Sequence, residues 1–183
     1  MAVRNSPRRW GSFAQLLHWV VVALIMVQAY LGLSASGQSL AKRLGTLTVH
    51  KSIGITILAL AVIRILWRWA NPTPALPDNL KPYERALAHF THAALYVLLF
   101  AIPLSGWMMS SARGFPVSWF KLVQLPDLVP KSKPLYDSLL QTHDLLALAL
   151  GVIVLLHVAA ALKHHYVLKD HVLRRMLPFT KTP

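Results

Sequence analysis

The chain has 183 residues, 55% of them hydrophobic and only 14% charged, and it contains no cysteine. A composition this apolar, with mean hydropathy +0.49, excludes an ordinary soluble domain and fits a small integral membrane protein formed as one transmembrane domain over residues 1–183. The missing thiols exclude disulfides, thiolate metal sites, iron–sulfur clusters and covalent C-x-x-C-H attachment of haem, while the net charge of +13 sits at the ends of apolar runs, where it implies membrane lipid headgroups and no nucleic acid.

Four apolar runs are long enough to cross a bilayer core of about 30 Å at about 1.5 Å per helical residue. The first covers residues 13–33. Arg4, Arg8 and Arg9 precede it and Ser34-Ala35-Ser36 follow, the flanks of a secretory leader. Its apolar stretch is longer than a leader's roughly 7–15 residues, and it carries His18 and Gln28, so it is read as a retained span. The second run covers 47–69 and ends with Arg64 and Arg68, read as anchors whose long stems snorkel to the interface, with neutralising an inner haem propionate as the alternative for one of them. A short, stiff connector follows, from Asn71-Pro72-Thr73-Pro74 to Pro82. The third run, 86–110, contains Pro103 and Gly106, which predict a bend. In the next loop Trp119, Phe120, Leu122 and Val123 surround Lys121, a pattern that predicts a short interfacial helix. The fourth run, 139–162, carries His143 and His157. Tryptophans fall mostly near the ends of these runs, as in an aromatic belt. There is no internal repeat and no nucleotide-binding glycine loop.

The fold class predicted is therefore all-α, an integral membrane four-helix bundle. An even number of spans puts both termini on one side. Twelve Lys and Arg residues, Lys181 among them, fall on that side and seven on the other, so the positive-inside rule places both termini in the cytoplasm.

Nine histidines are many for a protein of this size. His143 and His157, fourteen residues apart, lie within about 40° of one helical face and about 21 Å apart along it. Ionisable side chains at membrane depth are expensive and mark function. His50 and His143 stand at the outer ends of their spans, and no other histidine falls on that side. On the inner side are His18, His89, His92, His157, His164, His165 and His171, and spacing leaves both His18 and His92 open as partners of His157. Histidines at two depths on three helices suit two b haems, each iron taking two axial imidazoles. Gly54 and Gly151 then make room for a flat macrocycle. A lone intramembrane histidine is often only a hydrogen-bonded packing residue, and His89 and His92, with Tyr96 four residues on, are read that way. A haem-free transporter using the histidines as a relay is the reading from another class. It calls for carboxylates along the path, and only Asp144 lies within a span.

These residues resemble the bacterial cytochrome b561 family, and within it the small four-helix superoxide oxidase type. The likeness includes Leu17-His18-Trp19, His50 with Gly54-Ile55, Val62-Ile63-Arg64-Ile65-Leu66, Asn71-Pro72-Thr73-Pro74, and Leu87-Ala88-His89 with His92. It is densest from His143 with Leu146-Ala147 through Gly151, Leu156-His157 and Ala159-Ala160-Ala161-Leu162 to Lys163-His164-His165-Tyr166, Lys169-Asp170 and Arg174-Arg175-Met176. The resemblance implies two noncovalent haem b groups in the bacterial inner membrane. It assigns His18 and His157 as axial iron ligands of the cytoplasmic haem, and His50 and His143 as those of the periplasmic one. It also implies electron exchange with ubiquinone and, in the superoxide oxidase branch, oxidation of periplasmic superoxide to dioxygen, making the chain a superoxide:ubiquinone oxidoreductase. By the same likeness His164, and less strongly Lys163, contact quinone. Lys51 and Arg113 are the basic residues nearest the outer haem, suited to hold its propionates or to steer an anion. The same four histidines would also serve a cytochrome b anchor subunit that links a dehydrogenase or hydrogenase to the quinone pool, although short loops offer such a redox partner protein little area to dock.

Overall fold

The structure, a computed structural model, describes residues 2–77 and 80–180. Its frame is four long helices, α1 (Ser12–Ala35), α2 (Leu40–Trp69), α3 (Pro82–Arg113) and α4 (Lys133–Tyr166), each long and apolar enough to cross a membrane. Lys181, counted in the charge asymmetry, and Asp78 and Asn79 of the proline-rich connector lie outside the described residues.

Every helix outlasts the apolar run that predicts it, because helical hydrogen bonding continues into polar residues wherever the ends are capped. Pro82 opens α3 at a position where its missing N–H is no loss, and Glu84 reaches back to the Lys81 N–H (3.2 Å) in half of a capping box. Ser132 caps α4 through the Leu135 N–H (3.4 Å), and Lys133 pairs with Asp137 one turn on (2.6 Å). At its other end α4 closes on the Lys163 carbonyl, which accepts from the Val167 and Leu168 N–H groups at 2.9 and 3.0 Å. Lys169 then adopts a left-handed φ of 53° and turns the chain.

The chain divides into two compact units: the described residues of Met1–Val20, Val62–Val97 and Ala149–Pro183, and those of Val21–Ala61 and Leu98–Leu148. Each helix contributes a stretch to both. In the second unit Ile53, Ile57 and Ala61, spaced by four on one face of α2, bury themselves with Val21 and Leu99. In the first unit polar bonds tie the chain ends to the helices. Asn5 accepts from the Gly11 N–H (2.9 Å) and donates to the Pro72 carbonyl (3.1 Å). Gln15 and Trp19 of α1 donate to the carbonyls of Arg175 and Met176, both at 3.0 Å. By contrast α4 has no buried residue, and Leu155 is 72% exposed. A helix apolar all round with its leucines outward is what hydrocarbon surroundings favour, since lipid exerts no hydrophobic pressure to hide them.

The interfacial helix predicted around Lys121 does not form. In its place is a hairpin of β1 (Ser118–Trp119) and β2 (Val123–Gln124), antiparallel, with Ser118 opposite Gln124 and Trp119 opposite Val123. Phe120 and Lys121 take φ values of 47° and 62°, and the Leu122 N–H closes the turn on the Trp119 carbonyl (2.9 Å). Two successive left-handed residues end any right-handed helix. Contacts to α2 favour the turn: Ser52 Oγ accepts from the Phe120 N–H (3.0 Å), and the Trp119 indole donates to Thr56 Oγ1 (3.0 Å).

Candidate functional site

In the second unit α2 and α4 bring His50 and His143 together, their ring centroids 6.3 Å apart. His143 Nδ1 lies 3.1 Å from the Ile102 carbonyl oxygen and 3.0 Å from Ser105 Oγ, both on α3. A carbonyl only accepts, so Nδ1 carries the proton and Nε2 keeps its lone pair. On the His50 side, Nδ1 is buried without a hydrogen-bond partner, as is Gln28 Oε1.

Two glycines make room for these rings. A Cβ on Gly106 would stand 3.0 Å from His143 Cε1, and one on Gly32 would stand 3.5 Å from His50 Cε1. Gly54 instead faces the Gln28 amide, and a Cβ on Gly151 would meet nothing within 4 Å. The close approach to the rings comes from the helices opposite, α1 at Gly32 and α3 at Gly106. Lys51 places its ammonium 5.7 Å from the Phe115 ring centroid, and the Arg113 guanidinium lies 4.6 Å from that of Tyr136. Among the described residues neither cation has a carboxylate partner.

The first unit gathers three histidines. His157 of α4 has His18 of α1 at 6.4 Å and His92 of α3 at 5.4 Å between ring centroids. Arg64 is not the free anchor it was expected to be: its Nη2 donates to His18 Nδ1 (3.0 Å) and its Nε to the Tyr96 hydroxyl (3.3 Å). Arg68 lies over the rings of Trp10 and Tyr96. Arg64 faces inward because Tyr96 and His18 give its donors partners inside the protein. His92 likewise stands against His157, while His89, three residues earlier, is exposed.

A further pair closes the end of α4. His164 Nδ1 and Asp170 Oδ2 are 2.5 Å apart, both side chains mostly buried, and Asp170 Oδ1 accepts from the Val172 N–H (2.9 Å). Lys163 pairs instead with Glu84 of α3 (2.9 Å). His165 and His171 each bury an Nδ1 without a partner.

An ion held at about 2 Å by one nitrogen of each of two imidazoles puts their ring centroids about 6 Å apart. The His50–His143 and His18–His157 separations both suit that arrangement, and the donor set is the one a b haem takes. Among the described residues no group of three or more His, Asp or Glu side chains converges to hold a bare metal ion.

The family model described as prokaryotic cytochrome b561 matches residues 9–179. Cytochrome b561 homolog 2 of Escherichia coli (strain K12) is 35% identical over 179 residues, 97% of this chain and 95% of the relative. Probable superoxide oxidase CybB of Yersinia pestis is 35% identical over 163 residues, 88% and 92% of the two chains. Cytochrome b561 homolog 1 of Escherichia coli (strain K12) is 24% identical over 168 residues, 90% and 94%. The chain belongs to the prokaryotic cytochrome b561 family, electron-transferring proteins of b-type haem, and is a multi-pass protein of the bacterial inner membrane.

Proposed function

We propose that this chain is a single-domain diheme cytochrome that oxidises superoxide at the periplasmic face and reduces ubiquinone toward the cytoplasmic one, with both termini in the cytoplasm. Two superoxide anions each give up one electron and leave as dioxygen, while ubiquinone takes up two electrons and two protons. The observation that carries the reading is the pair of histidine pairs, His50 with His143 and His18 with His157, at 6.3 and 6.4 Å between ring centroids. Each haem, when bound, supplies one-electron exchange at its iron.

The chain's own residues hold, orient and protonate. The four imidazoles serve as axial ligands, and the Ile102 carbonyl fixes the His143 tautomer. Lys51 and Arg113, without carboxylate partners among the described residues, favour an anion near the outer pair. Asp170 holds the Nδ1 side of His164, which leaves Nε2 as the atom that passes a proton to reduced quinone. Lys163 is the weaker quinone contact, since Glu84 already engages its ammonium. The similarity to a probable superoxide oxidase favours superoxide as donor.

Purified protein saturated with haem should carry two haems per chain, and His50→Ala or His143→Ala should leave one. Mixing the oxidised protein with superoxide in a stopped-flow instrument should reduce the haems promptly. Reduction by ubiquinol with none by superoxide would replace this reading with the anchor-subunit role.

A further inference from the structure

We infer that α3, the long helix with no proposed axial ligand, is the positioning element for His143, and that Ser105 sets the donor strength of that ligand. The inference rests on the reading of His50 and His143 as a ligand pair. Three neighbouring residues of α3 meet the His143 ring. Ile102 offers a carbonyl oxygen at 3.1 Å from Nδ1, and Ser105 a hydroxyl oxygen at 3.0 Å. Gly106 offers the absence of a side chain, since a Cβ there would stand 3.0 Å from Cε1 and 3.3 Å from Nδ1.

The proton count is self-consistent. The Ser105 hydroxyl spends its own hydrogen on the Ile102 carbonyl (2.8 Å), so toward His143 it presents a lone pair. The Nδ1–H of His143 is therefore shared between two oxygens, both on the one turn of α3 that contains Pro103. Ser105 is 6% exposed, so water does not compete for these bonds. Two acceptors on Nδ1–H push electron density toward Nε2 and make the ring a stronger donor, as outer partners of metal-bound histidines do. A stronger donor at His143 Nε2 favours the ferric state of the iron it holds.

Haem-loaded Ser105→Ala protein tests this by redox titration of each haem and by the low-spin ferric resonance spectrum. His143→Ala, which keeps only the other haem, identifies which wave is which. In Ser105→Ala both haems should remain, the midpoint of the His50/His143 haem should rise, and the other should not move. Loss of that one haem alone would likewise support Ser105 as its holder. Unchanged midpoints with an unchanged ferric spectrum would overturn the inference. Should Ser105→Ala fail to accumulate, Gly106→Ala reads the same seat: a new ferric signal for one haem supports it, and a native spectrum sinks it. If His143→Ala binds as much haem as the parent, the ligand reading itself is wrong, an outcome distinct from any failure at Ser105.

Discussion

A guanidinium can only donate hydrogen bonds and a carbonyl can only accept them, and this contrast sets two proposed ligands, His18 of α1 and His143 of α4, in opposite states. Arg64 donates to His18 Nδ1, so a neutral His18 carries its proton on Nε2. The Ile102 carbonyl accepts from His143 Nδ1, so His143 carries it on Nδ1 and has Nε2 free. For His18 to bind iron through Nε2, Arg64 must exchange this partner for another, and the cation then remains beside the cofactor. A fixed positive charge stabilises reduced over oxidised haem. Arg64→Gln should therefore lower the midpoint of the His18/His157 haem in a redox titration and leave the other unmoved. Arg64→Lys, which keeps a positive charge at the same place, should restore most of the parent value. Reading Arg64 as a snorkelling anchor weighed only its distance from the end of the apolar run. A usable signal was present: Arg64 follows His50 by fourteen residues, the same step that separates His143 from His157, and so shares a helical face with a ligand candidate.

At the scale of elements, the four helices were legible and the hairpin was not. Apolar runs longer than a bilayer core specify helices almost regardless of context, because no other backbone satisfies its own hydrogen bonds in hydrocarbon. The segment 118–124 has no such constraint. Its aromatic and aliphatic residues around Lys121 read equally as one face of a helix or as a turn with its strands, and the bonds from Ser52 and Thr56 decide for the turn. The hairpin retains a conformational cost, because Phe120 and Lys121 both hold left-handed φ values with side chains attached. Lys121→Gly should relieve part of it and raise stability by up to about 1 kcal/mol, seen as a higher melting temperature in detergent. No rise would mean that the Lys121 side chain makes a compensating contact. The helix ends are likewise set by capping groups such as Ser132 and Glu84, which a hydropathy pattern does not register.

For the whole molecule the governing quantity is charge. The seven Lys and Arg residues of the outer side, among them Lys51 and Arg113 without carboxylate partners among the described residues, attract a small anion in proportion to how little salt screens them. The second-order rate of haem reduction by superoxide should fall steadily as ionic strength rises from about 10 to about 200 mM, over which the Debye length shortens from about 30 Å to under 10 Å. Reduction by ubiquinol, which is uncharged, should barely respond. A superoxide rate independent of salt would remove steering from the account and leave these cations to hold propionates.

The amino-acid sequence by itself determined the membrane class, the number of helices, the absence of any thiol chemistry and the roster of histidines, because each follows from residue type and spacing along one chain. His50 and His143 were also a pair on those grounds, being alone at their end of the spans. What only the tertiary structure decided lies between helices. It sets His157 against both His18 and His92, makes Gly32 and Gly106 the seats of the rings, joins Arg64 to His18, and turns Ser105 and Ile102 toward His143. The reason is physical: helical periodicity gives each residue a face and a depth, but the rotation and register of one helix against its neighbour come from the whole set of contacts between them.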